Sequence, residues 1–342
     1  MNEMINSLNG VLAGFKINAT CVKAYRHRHL AMYDVCLEPG CRIRRLELYA
    51  REIALALKSK SNPVVQSIPE NGIVRITVAA SAAEVLPFAR LAEGAKSPGG
   101  VLPLLLGETE SGGLLWTRME KNPHMLVAGE TGSGKSTLLH TMIANIINRD
   151  DVWLYLIDPK HGLEFGDYET KAYSVAYDYD AALRLLNEVR FNMEQRGRFL
   201  NSIGRRSIEE DASVLPKILV VIDEISSLML WDADKRNPNK GQFEKKIVEI
   251  AQKSRSAGIY LVLATQRPSV DVVTGLIKAN FPARVSCRVS SSIDSKVILD
   301  QAGAETLLGR GDAIISSPEF GFARFQVAFS TPADNIKDSL AA

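Results

Sequence analysis

From about residue 122 onward, short apolar runs alternate with long amphipathic stretches, and this alternation limits the folds open to the chain more than any other feature. The runs occupy residues 125–128, 152–157, 218–222 and 259–264. Such a pattern is typical of a parallel β-sheet whose strands are joined by crossover helices. Ligands of open sheets of this kind bind beyond the carboxyl ends of the strands. We therefore expect the functional residues directly after these runs.

The 342 residues suffice for one large domain or two of ordinary size. Residues 19–37 are strand-like, residues 73–78 form a β-branched run typical of a strand, and between them Pro63 should end one amphipathic helix. That helix is predicted from apolar residues at spacings of three and four: Ile43, Leu46, Ala50, Ile53 and Leu57. We predict a small α+β domain at 1–95, a linker with a hairpin at 96–119, and an α/β domain at 120–335.

Composition excludes several classes of protein. Apolar residues make up 46% and charged residues 23%, which is typical of a globular protein and not of a disordered chain or a coiled coil. The four cysteines form no CxxC pair and have no histidines at zinc spacing, so we expect reduced thiols. The sequence contains neither an apolar run of about 18 residues nor a secretion signal. We expect a cytoplasmic protein with no membrane segment of its own.

The first apolar run leads into a glycine-rich motif, Gly129-Glu130-Thr131-Gly132-Ser133-Gly134-Lys135-Ser136, which fits GxxxxGK[ST] and precedes a helical pattern. Its glycines let backbone N–H groups turn toward phosphate oxygens, and the following helix adds the positive end of its dipole. We expect Lys135 to reach the β- and γ-phosphates, Ser136 to bind Mg²⁺, and Thr137 to line the same site. A glycine-rich turn without a ligand is the alternative.

Asp223 and Glu224 follow the third apolar run. Charges at the end of a buried strand are costly unless they are used. We expect Asp223 to hold Mg²⁺ through water and Glu224 to polarise the water that attacks the γ-phosphate. Helix capping is the alternative interpretation of this pair. ATP is favoured over GTP because no Asn-Lys-x-Asp element occurs: Asn239-Lys240 is followed by Gly241-Gln242.

Residues 250–312 contain short sequences that are more specific than a general ATPase pattern. They include Ala251-Gln252-Lys253-Ser254-Arg255-Ser256-Ala257-Gly258, Ala264-Thr265-Gln266-Arg267-Pro268 and Leu299-Asp300-Gln301-Ala302-Gly303. With Asp158-Pro159-Lys160, they strongly resemble the motor domain of the FtsK/SpoIIIE family of double-stranded DNA translocases. The resemblance covers residues 120–330 and, more loosely, 1–95, which look like the family's small α domain. It implies a RecA-like ATPase that forms a homo-hexameric ring and moves double-stranded DNA through its pore.

The resemblance also implies roles for single residues. Arg255 matches the arginine that the family inserts into a neighbouring subunit's ATP site, and a cation that stabilises the end of its own helix is the alternative. Gln266 matches a polar sensor of the γ-phosphate, and a surface glutamine is the alternative. The pore-loop residues that hold the DNA backbone correspond to Arg267, Lys278 and Lys296, whereas Ser292 stands where relatives commonly carry lysine.

This sequence departs from the family's cellular members, which have membrane-spanning segments, a long linker and often a C-terminal winged-helix domain. We expect none of these here, so membrane binding and loading at a defined site are not implied by the resemblance, and an unidentified recruiting protein is a candidate partner. Two alternatives to a translocase stay open: a conjugation or packaging motor coupled to a partner protein, and an ATP-dependent clamp that binds DNA without travelling. Chromosome segregation, plasmid transfer and a phage or mobile-element role are all compatible with these residues.

Overall fold

The computed structural model describes residues 2–59, 62–81 and 85–337. Within these ranges the chain forms two β-sheets, one of four strands near the N-terminus and one of ten strands in the remainder. The predicted combination of an α+β part followed by an α/β part is confirmed. The division at residues 95 and 120 stays a prediction.

The N-terminal part packs helices on an antiparallel sheet of order β1-β2-β4-β3. Leu8 and Leu12 on one helix meet Leu46 and Ile53 on others, and these apolar side chains cover Ile76 and its neighbours on the sheet. The elements are α1 (Asn2–Gly14), β1 (Ala19–His27), β2 (Leu30–Leu37), α2 (Arg44–Leu48), α3 (Ala50–Ala56), β3 (Val64–Ile68) and β4 (Ile73–Ala79).

The single helix predicted around residues 43–57 is wrong in its continuity. The chain leaves helical geometry at Tyr49, whose φ of −97° and ψ of 20° separate α2 from α3. The ring of Tyr49 stacks on Phe15 with ring centroids 5.1 Å apart. Leu46 and Ile53 remain fully buried, so the apolar spacing identified the buried face although the helix is broken.

The second part begins with α4 (Phe88–Ala92) and builds the larger sheet. Its strands are β5 (Pro103–Thr109), β6 (Leu114–Arg118), β7 (His124–Ala128), β8 (Val152–Ile157), β9 (Ser174–Ala176), β10 (Lys217–Ile222), β11 (Ile259–Thr265), β12 (Ala283–Cys287), β13 (Asp312–Ser317) and β14 (Gly321–Val327). Its helices are α5 (Lys135–Ala144), α6 (Tyr179–Ser202), α7 (Ile225–Ala233), α8 (Gln242–Lys253), α9 (Gly275–Asn280), α10 (Ser292–Leu299) and α11 (Pro332–Lys337).

The strand order is β6-β5-β14-β13-β12-β7-β11-β10-β8-β9. Strands β12, β7, β11, β10, β8 and β9 are parallel, and the remaining pairings are antiparallel. The four apolar runs of the sequence are therefore four adjacent parallel strands, in the order β7-β11-β10-β8, between β12 and β9. Their carboxyl ends meet at one edge, as predicted.

Helices cover both faces of this sheet, which explains why its strands are continuously apolar. Leu126 and Ala128 of β7 face α6 to α10, whereas Met125 and Val127 face α5. Every residue of β10 and β11 is buried. Because both faces of these strands are buried, the carboxyl ends of the strands, where we expect the functional residues, are held in fixed positions.

The hairpin expected within a linker is part of the larger sheet, because β5 pairs with β14. The hairpin also contacts the N-terminal sheet. Glu108 of β5 accepts hydrogen bonds from His27 at 2.5 Å and from the Arg28 Nε at 3.0 Å. Glu110 accepts hydrogen bonds from Arg75 at 3.2 Å and Thr77 at 3.0 Å. The hairpin therefore joins the two sheets through buried carboxylates.

Candidate functional site

The glycine-rich motif forms the turn between β7 and α5, which is the strand-to-helix context that the sequence predicts. Gly132 and Gly134 have φ of 75° and 109°, a region that favours glycine. A Cβ on Gly134 would lie 2.3 Å from the backbone nitrogen of Gly311. Since the Gly311 N–H donates to the Ser133 carbonyl at 2.8 Å, the loop is held against a second glycine turn.

Lys135 opens α5 and is only 3% exposed, with its ammonium directed at Asp223. The Lys135 Nζ lies 2.5 Å from Asp223 Oδ1 and 3.0 Å from the Asp223 carbonyl oxygen. Asp223 follows β10, and the structure thus brings together two charged residues that the sequence placed after different strands. The carboxylate oxygens of Asp223 and the hydroxyl oxygen of Ser136 are ligand atoms of the kind that Mg²⁺ prefers.

Glu224 is held by three hydrogen-bond donors. Its Oε1 accepts from the Ser226 N–H at 3.2 Å and the Thr265 hydroxyl at 2.8 Å, and its Oε2 accepts from the Gln266 N–H at 2.9 Å. The helix-capping alternative is therefore realised, because Glu224 caps α7. The same contacts tie the carboxylate to the end of β11, where the Gln266 side chain meets Thr131 of the glycine-rich loop at 3.2 Å.

Lys160 is a site residue to which the sequence assigned no role. Its Nζ lies 2.5 Å from Asp223 Oδ2, on the opposite oxygen from Lys135. Burial opposes the charged ammonium, but the hydrogen bond to Asp223 and the charges of Asp223, Glu224 and Glu164 keep the pKa of Lys160 above its ordinary value. Lys160 is therefore charged at neutral pH. The signal in the sequence was its position after the second apolar run.

Glu164 is a second unpredicted site residue. One of its carboxylate oxygens lies 3.1 Å from the His140 Nε2. Burial raises the pKa of Glu164, but hydrogen bonds to His140 and Ser136 and nearby positive charge outweigh burial and lower it. A charged carboxylate therefore lines the same cleft as the hydroxyl predicted to bind Mg²⁺. A glutamate in a loop with no apolar pattern offered no signal of this position.

A cleft of about 550 Å³ lies over the glycine-rich loop. Lys135, Ser136, Thr137, Glu164 and Gln266 line its polar part. The rest of its lining includes Glu130, Thr131, Gly132, Gly134, Arg310, Gln326 and the apolar residues Val85, Leu86, Val327 and Phe329. Glu130 is in addition paired with Arg288 at 2.6 Å. Arg310 was not predicted as a site residue, because its position between Gly309 and Gly311 indicates a tight turn but does not indicate a binding site.

One wall of this cleft comes from the chain that follows the N-terminal sheet. The Phe329 N–H donates to the Leu86 carbonyl at 2.6 Å, and the Phe88 N–H donates to the Phe329 carbonyl at 2.8 Å. Pro87 and Phe329 form a parallel β-bridge. Leu86 and Phe88 are therefore hydrogen bonded to Phe329, which follows β14 beside the cleft.

Arg255 lies apart from this cleft. It begins a 3₁₀ turn directly before β11, whereas Gln266 directly follows β11. Seven residues of strand at about 3.3 Å each separate the two edges of the sheet by roughly 20 Å. The Arg255 side chain is 51% exposed and pairs with Glu209 at 3.0 Å. It cannot serve the cleft of its own chain.

The three basic residues predicted to contact DNA differ in their surroundings. Arg267 and Lys296 are exposed, on the loop after β11 and on α10. Lys278 on α9 is only 24% exposed and pairs with Asp300 at 2.5 Å. Asp300 is also paired with Arg284. The positive charge of Lys278 is thus partly neutralised within the chain.

The glycine-rich turn, its lysine and the acidic residues at the carboxyl edge of a parallel sheet define a P-loop ATPase fold of the RecA-like type. Family models agree with this class: the FtsK/SpoIIIE family matches residues 91–214 and 209–270, and the FtsK alpha domain matches residues 1–79. The chain belongs to the FtsK/SpoIIIE family.

Relatives of known name are similar over most of this chain. The DNA translocase FtsK of Tropheryma whipplei is 35% identical over 333 residues, which cover 91% of this chain and 44% of that protein. The DNA translocase FtsK of Mycobacterium leprae is 36% identical over 342 residues, covering 92% and 39%. The chain thus spans less than half the length of these relatives.

Solved structures share the fold. The conjugation coupling protein TcpA of pCW3, in a monomer form with ATPγS, superposes with a TM-score of 0.70 at 23% identity, covering 98% of this chain and 99% of that one. The type VII secretion ATPase EccC of Thermomonospora curvata gives a TM-score of 0.60 at 23% identity, covering 75% and 33%. Among the helices of the described ranges, none combines the length and the apolar character that crossing a bilayer requires.

Proposed function

We propose that this protein hydrolyses ATP and moves along double-stranded DNA as a homo-hexameric ring. The observation that carries the proposal is the convergence of Lys135, Asp223, Glu224 and Gln266 at one edge of the sheet, beside the cleft. Family membership supports the same activity.

For hydrolysis, the glycine-rich loop would bind the phosphates of ATP through its N–H groups. Lys135 would exchange Asp223 for the β- and γ-phosphates. Mg²⁺, bound with the nucleotide, would neutralise phosphate charge, and Ser136 and Asp223 are the residues that would hold it. Glu224 would accept a hydrogen bond from the attacking water while Thr265 and Gln266 fix its carboxylate, and the Gln266 side chain would contact the γ-phosphate.

The position of Arg255 supports the proposed ring. The cleft of its own chain lies at the opposite edge of the sheet, so a contribution of Arg255 to hydrolysis would have to be made in a neighbouring subunit's cleft. Its exposure and its pairing with a surface glutamate leave the guanidinium accessible to such a neighbour. A cation supplied in trans would stabilise charge in the transition state of phosphoryl transfer.

Duplex DNA is the proposed substrate of the motion, gripped by Arg267, Lys278 and Lys296. Contacts to phosphates carry no sequence information, which suits a motor that must not stop at preferred bases. The force would pass toward the N-terminal sheet through the segment that follows it, because Val85 and Leu86 line the cleft and Leu86 is hydrogen bonded to Phe329. Nucleotide in the cleft would therefore contact Val85 and Leu86, which lie between the N-terminal sheet and α4.

Steady-state ATP hydrolysis with and without duplex DNA, combined with displacement of a third strand from a triplex, tests the proposal. Duplex-stimulated hydrolysis with displacement is the expected result. Stimulation without displacement would favour an ATP-dependent clamp, and hydrolysis that responds only to a partner protein would favour a coupled conjugation or packaging motor. Sedimentation with DNA and ATPγS would reveal the proposed hexamer.

A further inference from the structure

One buried carboxylate at the site is shared by two lysines. Asp223 is fully buried, with Lys135 at 2.5 Å from Oδ1 and Lys160 at 2.5 Å from Oδ2. The proposed function uses Lys135 for phosphate and gives Lys160 no task. Two cations on one carboxylate therefore need an explanation beyond nucleotide binding by Lys135.

The explanation lies in what happens when Lys135 turns to a nucleotide. A buried carboxylate that loses its only counter-ion is strongly destabilised, because an uncompensated charge is left out of water. Lys160 contacts the other oxygen and can stay in place while Lys135 leaves. Asp223 then keeps a charged partner and a fixed orientation throughout the exchange.

Lys160 is held in place by its loop. Asp158 is fully buried, and its carboxylate accepts from the backbone N–H groups of Lys160 at 3.0 Å, Glu164 at 2.8 Å and Phe165 at 3.0 Å. Phe165 is itself fully buried in the core. The loop is anchored at both ends, so the reach of Lys160 to Asp223 is built into the fold.

We propose that Lys160 is a positioning residue that holds Asp223 when Lys135 leaves it, and so lowers the free energy needed to admit nucleotide. The inference rests on the proposed binding of ATP by Lys135. It assigns to Lys160 no contact with the nucleotide itself. Its effect should therefore depend on the charge of Asp223.

The test measures ATPγS affinity by calorimetry in EDTA, so that neither hydrolysis nor Mg²⁺ enters. Lys160→Met should weaken binding about tenfold, since Lys135 becomes the sole partner of Asp223 and resists transfer to phosphate. Lys160→Arg keeps the cation and should bind within about threefold of wild type. In an Asp223→Asn background, Lys160→Met should have almost no further effect, because the charge that Lys160 offsets is gone.

Lys217→Met is the matched control. Lys217 is also a lysine paired with an aspartate, Asp151 at 2.7 Å, but at the start of β10 and thus at the far edge of the same sheet. Its replacement should leave ATPγS affinity unchanged, and thermal unfolding of each variant reports any general damage. Equal decreases in affinity from Lys160→Met in both backgrounds would show that Lys160 touches phosphate directly and overturn the inference.

Wild-type affinity in Lys160→Met would equally overturn the positioning role while leaving ATP binding intact. Failure of the wild-type protein to bind ATPγS would instead refute the proposed function, and the inference with it. The two failures are therefore distinguishable in one set of titrations.

Discussion

Replacing Glu224 with glutamine separates the two roles of this side chain. The carboxylate has two oxygens and accepts from three donors: Ser226 and Thr265 on one oxygen and Gln266 on the other. An amide offers a single acceptor oxygen. If that oxygen accepts from the Gln266 N–H, the new NH₂ group takes the place of the oxygen that accepted from the Ser226 N–H and the Thr265 hydroxyl. The Thr265 hydroxyl can rotate and accept a hydrogen bond from the NH₂ group, but the Ser226 N–H cannot. One backbone donor at the start of α7 is left unpaired.

The size of each effect follows from this geometry. Loss of one helix-capping hydrogen bond costs about 1 kcal/mol, so the free energy of unfolding of Glu224→Gln should fall by about that amount. Removal of a group that activates the attacking water lowers a rate by roughly 10²–10⁴-fold. That range corresponds to about 3–5.5 kcal/mol in the barrier. The decrease in hydrolysis should therefore exceed by far the decrease in stability.

The assays are urea unfolding, ATPγS titration and single-turnover ATP hydrolysis on the same preparations. Nucleotide affinity should stay near wild type, because the phosphates are held by the glycine-rich loop and Lys135. Asp178→Ala is the matched control, since Asp178 caps α6 by accepting from the Ala181 N–H at 2.7 Å. It should lose similar stability and keep hydrolysis.

A Glu224→Gln protein that hydrolyses ATP within a few-fold of wild type would refute the assignment of Glu224. Glu224 would then be a helix cap and a tie to β11 with no part in the chemistry. A decrease of hydrolysis in Asp178→Ala as large as in Glu224→Gln would show that the rate follows stability, and the reasoning would fail on that result also.

Three further predictions concern the remaining site residues. Lys135→Ala should abolish ATPγS binding by calorimetry, and affinity equal to wild type would contradict its role in holding phosphate. Arg255→Ala should leave nucleotide affinity unchanged and lower the turnover of ATP. In mixed rings, Glu224→Gln subunits retain Arg255 and should restore some turnover at neighbouring Arg255→Ala subunits. The absence of rescue at any mixing ratio would count against action in trans. Lys296→Ala should weaken duplex binding equally for unrelated sequences, and it should reduce the slope of log affinity against log salt by about 0.9 for each DNA phosphate that is no longer neutralised. Lys278→Ala should have smaller effects on both quantities, because Asp300 already offsets the charge of Lys278. Ser292→Lys should raise the affinity for duplex DNA. Binding titrations at several salt concentrations check this order, and decreases in affinity that depend on DNA sequence would contradict binding to phosphates.

The parts of the fold that the sequence predicted well are those with strong periodicity. The four adjacent parallel strands β7, β11, β10 and β8 and the turn at Lys135 were predicted correctly, because burial on both faces makes each strand continuously apolar. Helix α1 and strand β3 were missed, and one predicted helix is broken at Tyr49. In that case the apolar spacing identified the buried face correctly. The stacking of Tyr49 on Phe15, however, joins residues far apart in the sequence, and local spacing cannot predict such a contact.

By itself the sequence determined the class of fold, the glycine-rich loop and the acidic pair after β10, because each depends on residues close together in the chain. Only the tertiary structure decided which side chains meet. The sharing of Asp223 by Lys135 and Lys160, and the contact of residues 85–88 with Phe329, join segments dozens to hundreds of residues apart. Strand order sets these encounters, and strand order follows from the packing of whole helices on the sheet. The position of Arg255 at the edge opposite its own cleft has the same origin, since the direction of β11 in the sheet fixes which of its ends faces nucleotide.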